Sequence, residues 1–493
     1  MARRRASVIF GVAAVVLAGC SIGPKYIKPG APVPVSYKET GSPDAASEWK
    51  AAEPRDDASR GAWWTAFRDH DLDALEEKLN QSNQSVAAAT ANVQAAKAMV
   101  REARAQYWPA LTANPAIANN RISSAFGQSL GATFTTYTLP LEASWEPDLW
   151  GRVRKSVDSA TFAAQASVAD LESVRLSAQA ELASDYYQLR SQDALKQLLD
   201  ATVKIDLDAL DLTRSLFTSG LANDEAVAQA EAQLRAAQAQ DTNLGVLRAQ
   251  YEHAIALLDG EPASTFAVTR KEFEAGAPEI PPGVPSQLLE RRPDIAAAER
   301  AVAQANAQIG IAKTAFFPNL TLSASAGFGS VSFLKWFEWP SRVWSVGPGL
   351  AETLFEGGAR KAAVQQSQAA YDQTVANYRQ TVLTAFQQVE DNLAALRVLT
   401  EAIEQQDAAI AAAGRNLGEA EVRYKSGLDP YLNVIAAQAI VLSDQQTAVN
   451  FRAQRMVASV QLIKALGGGW DASQIPSAKQ LNAAIRNESA APR

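Results

Sequence analysis

Cys20 is the residue whose chemistry this sequence states most directly. It follows Leu17-Ala18-Gly19, at the end of a short apolar run from Val8 to Leu17 that Arg3, Arg4 and Arg5 precede. A basic start, a short apolar stretch and small residues at the exit make a secretory leader, too short to span a bilayer comfortably. The ending matches the bacterial lipobox, in which the leader is cut before the cysteine and the thiol is acylated, palmitate included. The alternative is a chance cysteine behind an ordinary leader. Acyl chains on Cys20 anchor a protein to a bilayer without spanning it. Ser21, rather than an aspartate, follows Cys20; by resemblance to bacterial lipoproteins this favours the outer membrane. Cys20 is the only cysteine, so disulfides, cysteine-rich metal sites and a redox pair within the chain are excluded.

Little else in the sequence has the spacing that catalysis needs. The two histidines, His70 and His253, are far apart on helical segments and read as helix-surface residues. There is no HExxH pair, nucleophile elbow or cysteine cluster. Gly467-Gly468-Gly469 is not followed by Lys-Ser or Lys-Thr, so it is no phosphate loop. No enzyme, no cofactor and no metal site is expected. Loss of the leader removes three arginines from the 46 basic residues and none of the 53 acids, leaving 43 against 53, a net −10. A net acidic chain without a basic block is a poor nucleic-acid binder.

The elements that position these residues come in two copies. Tyr107-Trp108-Pro109 returns as Phe316-Phe317-Pro318, Ser219-Gly220-Leu221 as Ser426-Gly427-Leu428, and Leu258-Asp259-Gly260 as Leu466-Gly467-Gly468. Such a long-period duplication means one structural unit built twice. Hydrophobic content is 47% with a mean hydropathy of −0.14, much of it alanine, which suits long helices with thin apolar seams. The spacing predicts a helix from about Asp71 to Gln106, stopped by Pro109. It also predicts seams along Leu171, Val174, Ala178, Leu182, Asp185, Leu189 and along Val375, Tyr378, Val382, Ala385, Val389, Leu393, Leu396. Seams sustained this long mean coiled-coil-like packing. A helix from about Arg152 to Phe217 is ~100 Å long at 1.5 Å per residue. Gly220 and Gly427 end the long helices as natural caps and turns, and Pro430 fits a first-turn proline.

Between the helices lies period-two alternation. Tyr137, Leu139, Leu141, Ala143 and Trp145 alternate with mostly polar residues, as do Leu320, Leu322, Ala324, Ala326 and Phe328. A weaker run covers Leu111 to Ile117, and a fourth has Trp344, Val346 and Leu350 in phase. Phe333, Trp336, Phe337 and Trp339 crowd the intervening loop as an aromatic interface girdle does. Tilted membrane strands and soluble hairpins both fit this alternation. Four strands cannot close a barrel, eight being the small end. Two copies give a filled barrel, and three give twelve strands with room for solutes.

The organisation expected is a signal peptide over 1–19 and a lipidated, extended tether over 20–62. A first repeat over 63–262 has strands at about 110–146 and long helices over 152–258. A connector over 263–290 leads to a second repeat over 291–470, with strands at about 319–352 and long helices over 359–466. Residues 471–493 read as a flexible tail. The fold class is α+β, with a long helical coiled-coil barrel and four strands per chain contributed to a transmembrane sheet.

Leu288-Leu289-Glu290-Arg291-Arg292-Pro293-Asp294-Ile295, with Ala298-Glu299, resembles the signature opening the second repeat of TolC-like outer-membrane factors. Ala305-Asn306-Ala307-Gln308-Ile309-Gly310 and Phe316-Phe317-Pro318 continue it. Trp145-Glu146-Pro147-Asp148-Leu149-Trp150-Gly151, Tyr424-Lys425-Ser426-Gly427 and Lys464-Ala465-Leu466-Gly467-Gly468-Gly469-Trp470 resemble other marks of that family. With the lipobox, they place the chain nearest the OprM/NodT-type efflux lipoprotein branch, over roughly residues 20–470. The resemblance implies a homotrimer with a twelve-stranded barrel in the outer membrane of a Gram-negative bacterium and a twelve-helix tube across the periplasm. It further implies export of small molecules, with a periplasmic adaptor and an inner-membrane pump of RND type, in multidrug resistance. An outlet for type I protein secretion has the same architecture, and a structural coiled-coil lipoprotein with soluble hairpins is the alternative of another class.

The resemblance places a periplasmic gate at the tip, where Gly220 and Gly427 turn the helices. Tyr424, Asp429, Leu432, Asn433 and Ala436 occupy the stretch matching the family's constriction, where relatives often carry aspartate in place of Asn433 or Ala436. Ala226 likewise stands where an acid is common, with Asp224 and Glu225 just before it. The family's carboxylate ring does not transfer directly. Asp429, Asp224 and Glu225 either supply negative charge one turn away or serve as helix N-terminal acids favoured by the dipole. Leu432 is either an apolar constriction that gates by dewetting or a seam leucine.

Overall fold

The computed structural model describes residues 22–40, 62–123, 133–273, 276–278, 280 and 288–490. Cys20 and the leader lie outside the described residues. Helix α1 spans His70–Ser82 and α2 Gln84–Ala105. The single helix expected here is divided at Asn83, whose backbone is extended, with ψ 123°. Its side chain accepts the Val86 N–H as a helix cap and donates to the Leu258 carbonyl, 2.8 Å away. One side chain therefore ends one helix, starts the next and ties both to a third.

Each copy then runs into the sheet and out through a 67-residue helix. Strands β1 (Ala110–Ala113), β2 (Ala116–Arg121) and β3 (Thr133–Trp145) lead to α3 (Arg152–Thr218) and α4 (Asp224–Leu258). Helix α5 (Pro293–Thr314) leads to β4 (Asn319–Ser330), β5 (Arg342–Ala351), α6 (Ala359–Lys425) and α7 (Tyr431–Ala465). Both long helices start from a glycine with positive φ, Gly151 at 82° and Gly358 at 91°. Both starts are capped by an acid a few residues upstream. Asp148 accepts the N–H groups of Val153 and Arg154, and Glu356 that of Arg360. The signature Arg292 bonds to both carboxylate oxygens of Asp294, to Gln388 and to the Ala465 carbonyl. It thereby joins the start of α5 to the end of α7.

The sheet order is β1/β2, β3, β4, β5, all antiparallel. Its register sorts the side chains. Leu111 stands opposite Ala143, Ala143 opposite Ala324 and Ala324 opposite Val346. Ile117 faces Tyr137, Leu141 faces Ala326, and Ala326 faces Trp344. One face is therefore apolar from edge to edge. The other face carries Thr138, Glu142, Ser144, Ser323, Ser325, Gly347 and Gly349. The first expected strand is broken into β1 and β2 because Pro115 between them and Pro140 opposite both lack a donor N–H; together they fill one strand position. Gly327 pairs with Pro140, and a Cβ there would stand 2.1 Å from the Leu139 carbonyl oxygen. Gly327→Val should therefore abolish most sheet assembly, read as loss of the heat-modifiable oligomer on unheated gels. An unchanged oligomer band would remove this close approach from the account.

Two apolar clusters hold the body together. In the first copy Leu182, Tyr186 and Leu189 of α3 meet Leu72, Leu79, Ile255, Trp63 and Trp64. In the second, Tyr378, Val382, Phe386 and Val389 of α6 meet Ile295, Val302 and Leu462. The described part of the tether is extended but bound along the body. The Pro24 carbonyl accepts from Asn306, Tyr26 bonds Glu299, and the Gly30 carbonyl accepts from Arg379. Tyr37 is buried in the second cluster. Glu390 accepts the backbone N–H groups of Lys38 and Glu39. The tail expected to be flexible instead carries helix α8 (Ala478–Ala490). Its Leu481 is buried against Val100 and Ala164.

Candidate functional site

The two helical hairpins end in matching turns. Gly220 has φ 71° and Gly427 φ 72°. Around them the N–H of Leu221 bonds the Leu216 carbonyl and that of Leu428 bonds the Arg423 carbonyl, each at 2.9 Å. This six-to-one bond across a left-handed glycine is the Schellman cap, so both glycines are used for positive φ.

The second tip is the more braced of the two. Arg423, at the end of α6, pairs with Asp429 across the turn, Nη2 to Oδ1 at 3.2 Å. The Arg423 guanidinium, and after it a hydrogen bond from Asn433, hold the Asp429 carboxyl below the usual carboxylate range. Tyr424 and Tyr431 bring their rings to 5.1 Å. Pro430 is the cap residue of α7 rather than its first helical residue, with ψ 154°. The structure thus brings Tyr424, Asp429 and Asn433 together around one turn. Leu432 is 53% exposed and points away from this packing. Asp224 and Glu225 lie in the exposed first turn of α4, behind the Asn223 cap. Among the described residues they form no ion pair with the second tip. The two histidines lie on exposed helix surface, and no group of three potential metal ligands occurs among the described residues.

The hairpins are sewn together just behind the tips. Leu210 of α3 with Ala230 and Leu234 of α4 packs on Tyr431 and Val434 of α7, with Tyr424 and Leu417 of α6 against them. At this level α3 carries a buried acid that motif reading passes over. Asp206 is 2% exposed, and its Oδ2 has no hydrogen-bond partner. The signal was available, because Leu199, Val203, Asp206, Leu210 and Thr213 recur at four-three spacing. A polar residue at a seam position costs stability and sets register. Burial pushes the Asp206 carboxyl up to about 6; burial, and after it the charge of the same acid, pushes the Tyr431 hydroxyl up to about 12.

For an acid whose pKa is raised by folding, the packed state is favoured at low pH. It loses that advantage as pH climbs from the unfolded value toward the folded one. The packing around Asp206 is therefore tightest below about pH 4 and loosens up to about pH 6. Opening of the helix ends, read as amide hydrogen exchange corrected for its intrinsic pH dependence, should rise between about pH 4 and pH 6, and Asp206→Asn should flatten that rise. A variant as pH-sensitive as the parent would clear Asp206 of the effect.

These side chains tie the ends of neighbouring helices to one another. No described helix is long and apolar enough to cross a membrane. Among the described residues, the sheet presents a surface with membrane character. It exposes Leu111, Ile117, Leu141, Trp344, Val346 and Leu350 on a single face and leaves β1/β2 and β5 as open edges.

Known proteins share this arrangement. The family model described as outer membrane efflux protein matches residues 75–261 and 284–468, once per copy. The chain is 32% identical over 464 residues to a probable efflux pump outer membrane protein, TtgC, of Pseudomonas putida, covering 93% of this chain and 94% of the relative. It is 32% identical over 480 residues to the outer membrane protein OprJ of Pseudomonas aeruginosa, covering 94% and 96%. The solved structure of the outer-membrane channel OprN superposes with a TM-score of 0.84 at 26% identity, covering 92% of this chain and all of that one. Sequence, duplicated architecture and both copies of the family model agree: this chain belongs to the outer membrane efflux protein family.

Proposed function

We propose that the chain is the outer-membrane channel component of a tripartite efflux system, a conduit rather than an enzyme. The observation that carries this reading is the register of the sheet. A face that is apolar from edge to edge needs lipid or protein over it, and a sheet edge exposed to lipid leaves backbone groups unsatisfied. Closing β5 of one copy on β1/β2 of the next removes both edges. Three copies give twelve strands, enough for a water-filled barrel lined by the Ser, Thr and Gly face. The 67-residue helices α3 and α6, each ~100 Å long, continue that lumen through the periplasm. Small molecules enter from an RND-type inner-membrane pump through a periplasmic adaptor that meets the tip. Acylation of Cys20 holds the assembly at the inner leaflet of the outer membrane. Tyr424, Asp429 and Asn433 form the gate, with Leu432, Asp224 and Glu225 facing the lumen once copies associate.

The names of the relatives, an efflux pump outer membrane protein among them, support the same reading. Expression in a strain lacking its own efflux channel, together with the neighbouring pump and adaptor genes, should restore resistance to small toxic compounds at least several-fold. Expression at normal membrane levels with no gain in resistance to any compound class would overturn the efflux role.

A further inference from the structure

The apolar face of the sheet carries one built feature at its far end, away from the helices. A groove of about 540 Å³ is lined by Leu141, Ala326, Phe328, Trp339, Arg342 and Trp344. The register places Leu141, Ala326 and Trp344 in one row and Leu139, Phe328 and Arg342 in the next. Most of the groove's lining therefore belongs to the apolar face across β3, β4 and β5, with Gly327 and Val343 of the intervening row also touching it. The loop joining β4 to β5 folds down onto this face. Phe333 and Trp336 reach Tyr137, each with ring centres 5.6 Å apart, and Phe337 reaches Phe328 at 5.6 Å. Trp336 and Phe337 stack at 4.9 Å.

Arg342 closes the groove at its outer end. Its guanidinium carbon lies 3.0 Å above the centre of the Trp339 ring, and its Nε donates to the Trp339 carbonyl at 2.9 Å. No carboxylate lies within ion-pair distance of it among the described residues. Its terminal nitrogens thus have no acceptor among the described residues, on a guanidinium that stacks on Trp339 and lines an apolar groove. The Ser341 hydroxyl bonds the Lys335 carbonyl at 2.6 Å, which folds the loop back on itself next to Arg342; Lys335 is the other cation of this loop. Glu338, the acid in this loop, forms no ion pair with either cation among the described residues. A cation held at the edge of hydrocarbon seeks an anion, and a planar guanidinium matches phosphate.

We infer that this groove binds a phosphate-bearing anionic lipid of the outer leaflet. The acyl chain lies along Leu141, Ala326 and Trp344, and the phosphate sits on Arg342. The inference rests on the barrel reading above and adds a specific lipid site to it.

The test uses the full-length assembly, stripped of lipid by detergent exchange. It is incubated with micelles of phosphatidylglycerol or phosphatidylcholine carrying the same acyl chains, and retained lipid is quantified by mass spectrometry. Wild type should prefer phosphatidylglycerol roughly tenfold, the size of one charge-assisted hydrogen bond. Arg342→Gln should lose that preference, and Trp339→Ala should lower retention of both lipids. Inorganic phosphate at about ten times the lipid concentration should not displace the bound lipid; displacement would show recognition of the ion alone and overturn the lipid site. Equal retention of the two lipids by wild type, or an unchanged preference in Arg342→Gln, would also overturn it. Oligomer stability and conductance are measured on the same samples. An intact, conducting oligomer without lipid preference defeats this site alone, whereas a missing oligomer and missing conductance defeat the barrel reading.

Discussion

Replacing Asp193 with alanine is expected to destabilise the helical body by about 3–5 kcal/mol, the usual result of removing one partner from a buried ion pair. Asp193 of α3 is buried, with 1% of its side chain exposed. One oxygen lies 2.8 Å from Arg248 of α4 and the other 3.3 Å from Arg190 of α3. The two arginines also hold the chain that leaves the first copy, since Arg190 donates to the Thr269 carbonyl and Arg248 to that of Val268. Glu252 accepts the Val268 N–H. Without Asp193 the two guanidiniums lose the buried carboxylate they share, Arg190 keeping only Asp71 and Arg248 only Glu252, each at 3.2 Å, and the connector loses part of its anchor. Heating should dissociate the oligomer at a markedly lower temperature, and protease should cut near residue 270. Asp200→Ala, which removes a 56% exposed partner of Lys196, should change either readout little, because exposed pairs are worth about 0–1 kcal/mol. Equal, small effects of both substitutions would dismantle this view of the network.

The second large effect belongs to the tip. The Tyr424–Tyr431 contact and the Arg423–Asp429 pair are the two ties across the Gly427 turn. Tyr431 also belongs to the cluster joining the hairpins. Tyr424→Ala with Tyr431→Ala removes an aromatic pair worth about 0.5–1.5 kcal/mol beyond its buried area, and it opens a cavity between α3, α4, α6 and α7. Cells carrying this variant should become several-fold more sensitive to large antibiotics that the outer membrane normally excludes. Asp429→Ala should act in the same direction but less, since that pair is open to solvent, Arg423 55% and Asp429 22% exposed, and screened by salt. Unchanged sensitivity in the double variant would discard the tyrosines as a latch.

The sequence made some of this legible and hid the rest for physical reasons. The strand alternation of Tyr137 to Trp145 and Leu320 to Phe328 reports a one-sided apolar surface directly, because the side-chain period of a strand is two. The seam of Tyr378, Val382, Ala385 and Val389 reports burial in the same way, and Gly220 and Gly427 mark turns that require positive φ. Contacts between distant segments leave no such period. The strap of Pro24, Tyr26 and Tyr37 reads as a loose tether because an extended, proline-rich chain has no internal hydrogen bonds to announce its docking. Arg190, Asp193 and Arg248 look like ordinary surface charges of a helix until Val268 and Thr269 are seen beside them. Helix α8 is short, and it is held by Leu481 meeting Val100 and Ala164, far away in sequence. Asn83 is the instructive intermediate case. An asparagine three residues before Val86 is a plain N-cap signal, but uninterrupted helical composition on both sides masks it.

At the candidate gate the sequence located the turns, Tyr424, Asp429 and Asn433, while their partners came from packing. Arg423 lies six residues before Asp429, a spacing that faces neither way on a helix and meets only because the Gly427 turn intervenes. Asp206 was present in the four-three seam, and its burial became evident only when α7 was seen to cover it.

The central claim is that copies of this chain enclose a water-filled path that the tip restricts. Its most direct measurement is the ionic current through the purified, heat-modifiable oligomer in a planar bilayer. Stepwise conductance is expected from the wild-type protein, rising in the Tyr424→Ala, Tyr431→Ala variant. A correctly assembled oligomer that inserts and never conducts, in either form, would contradict it.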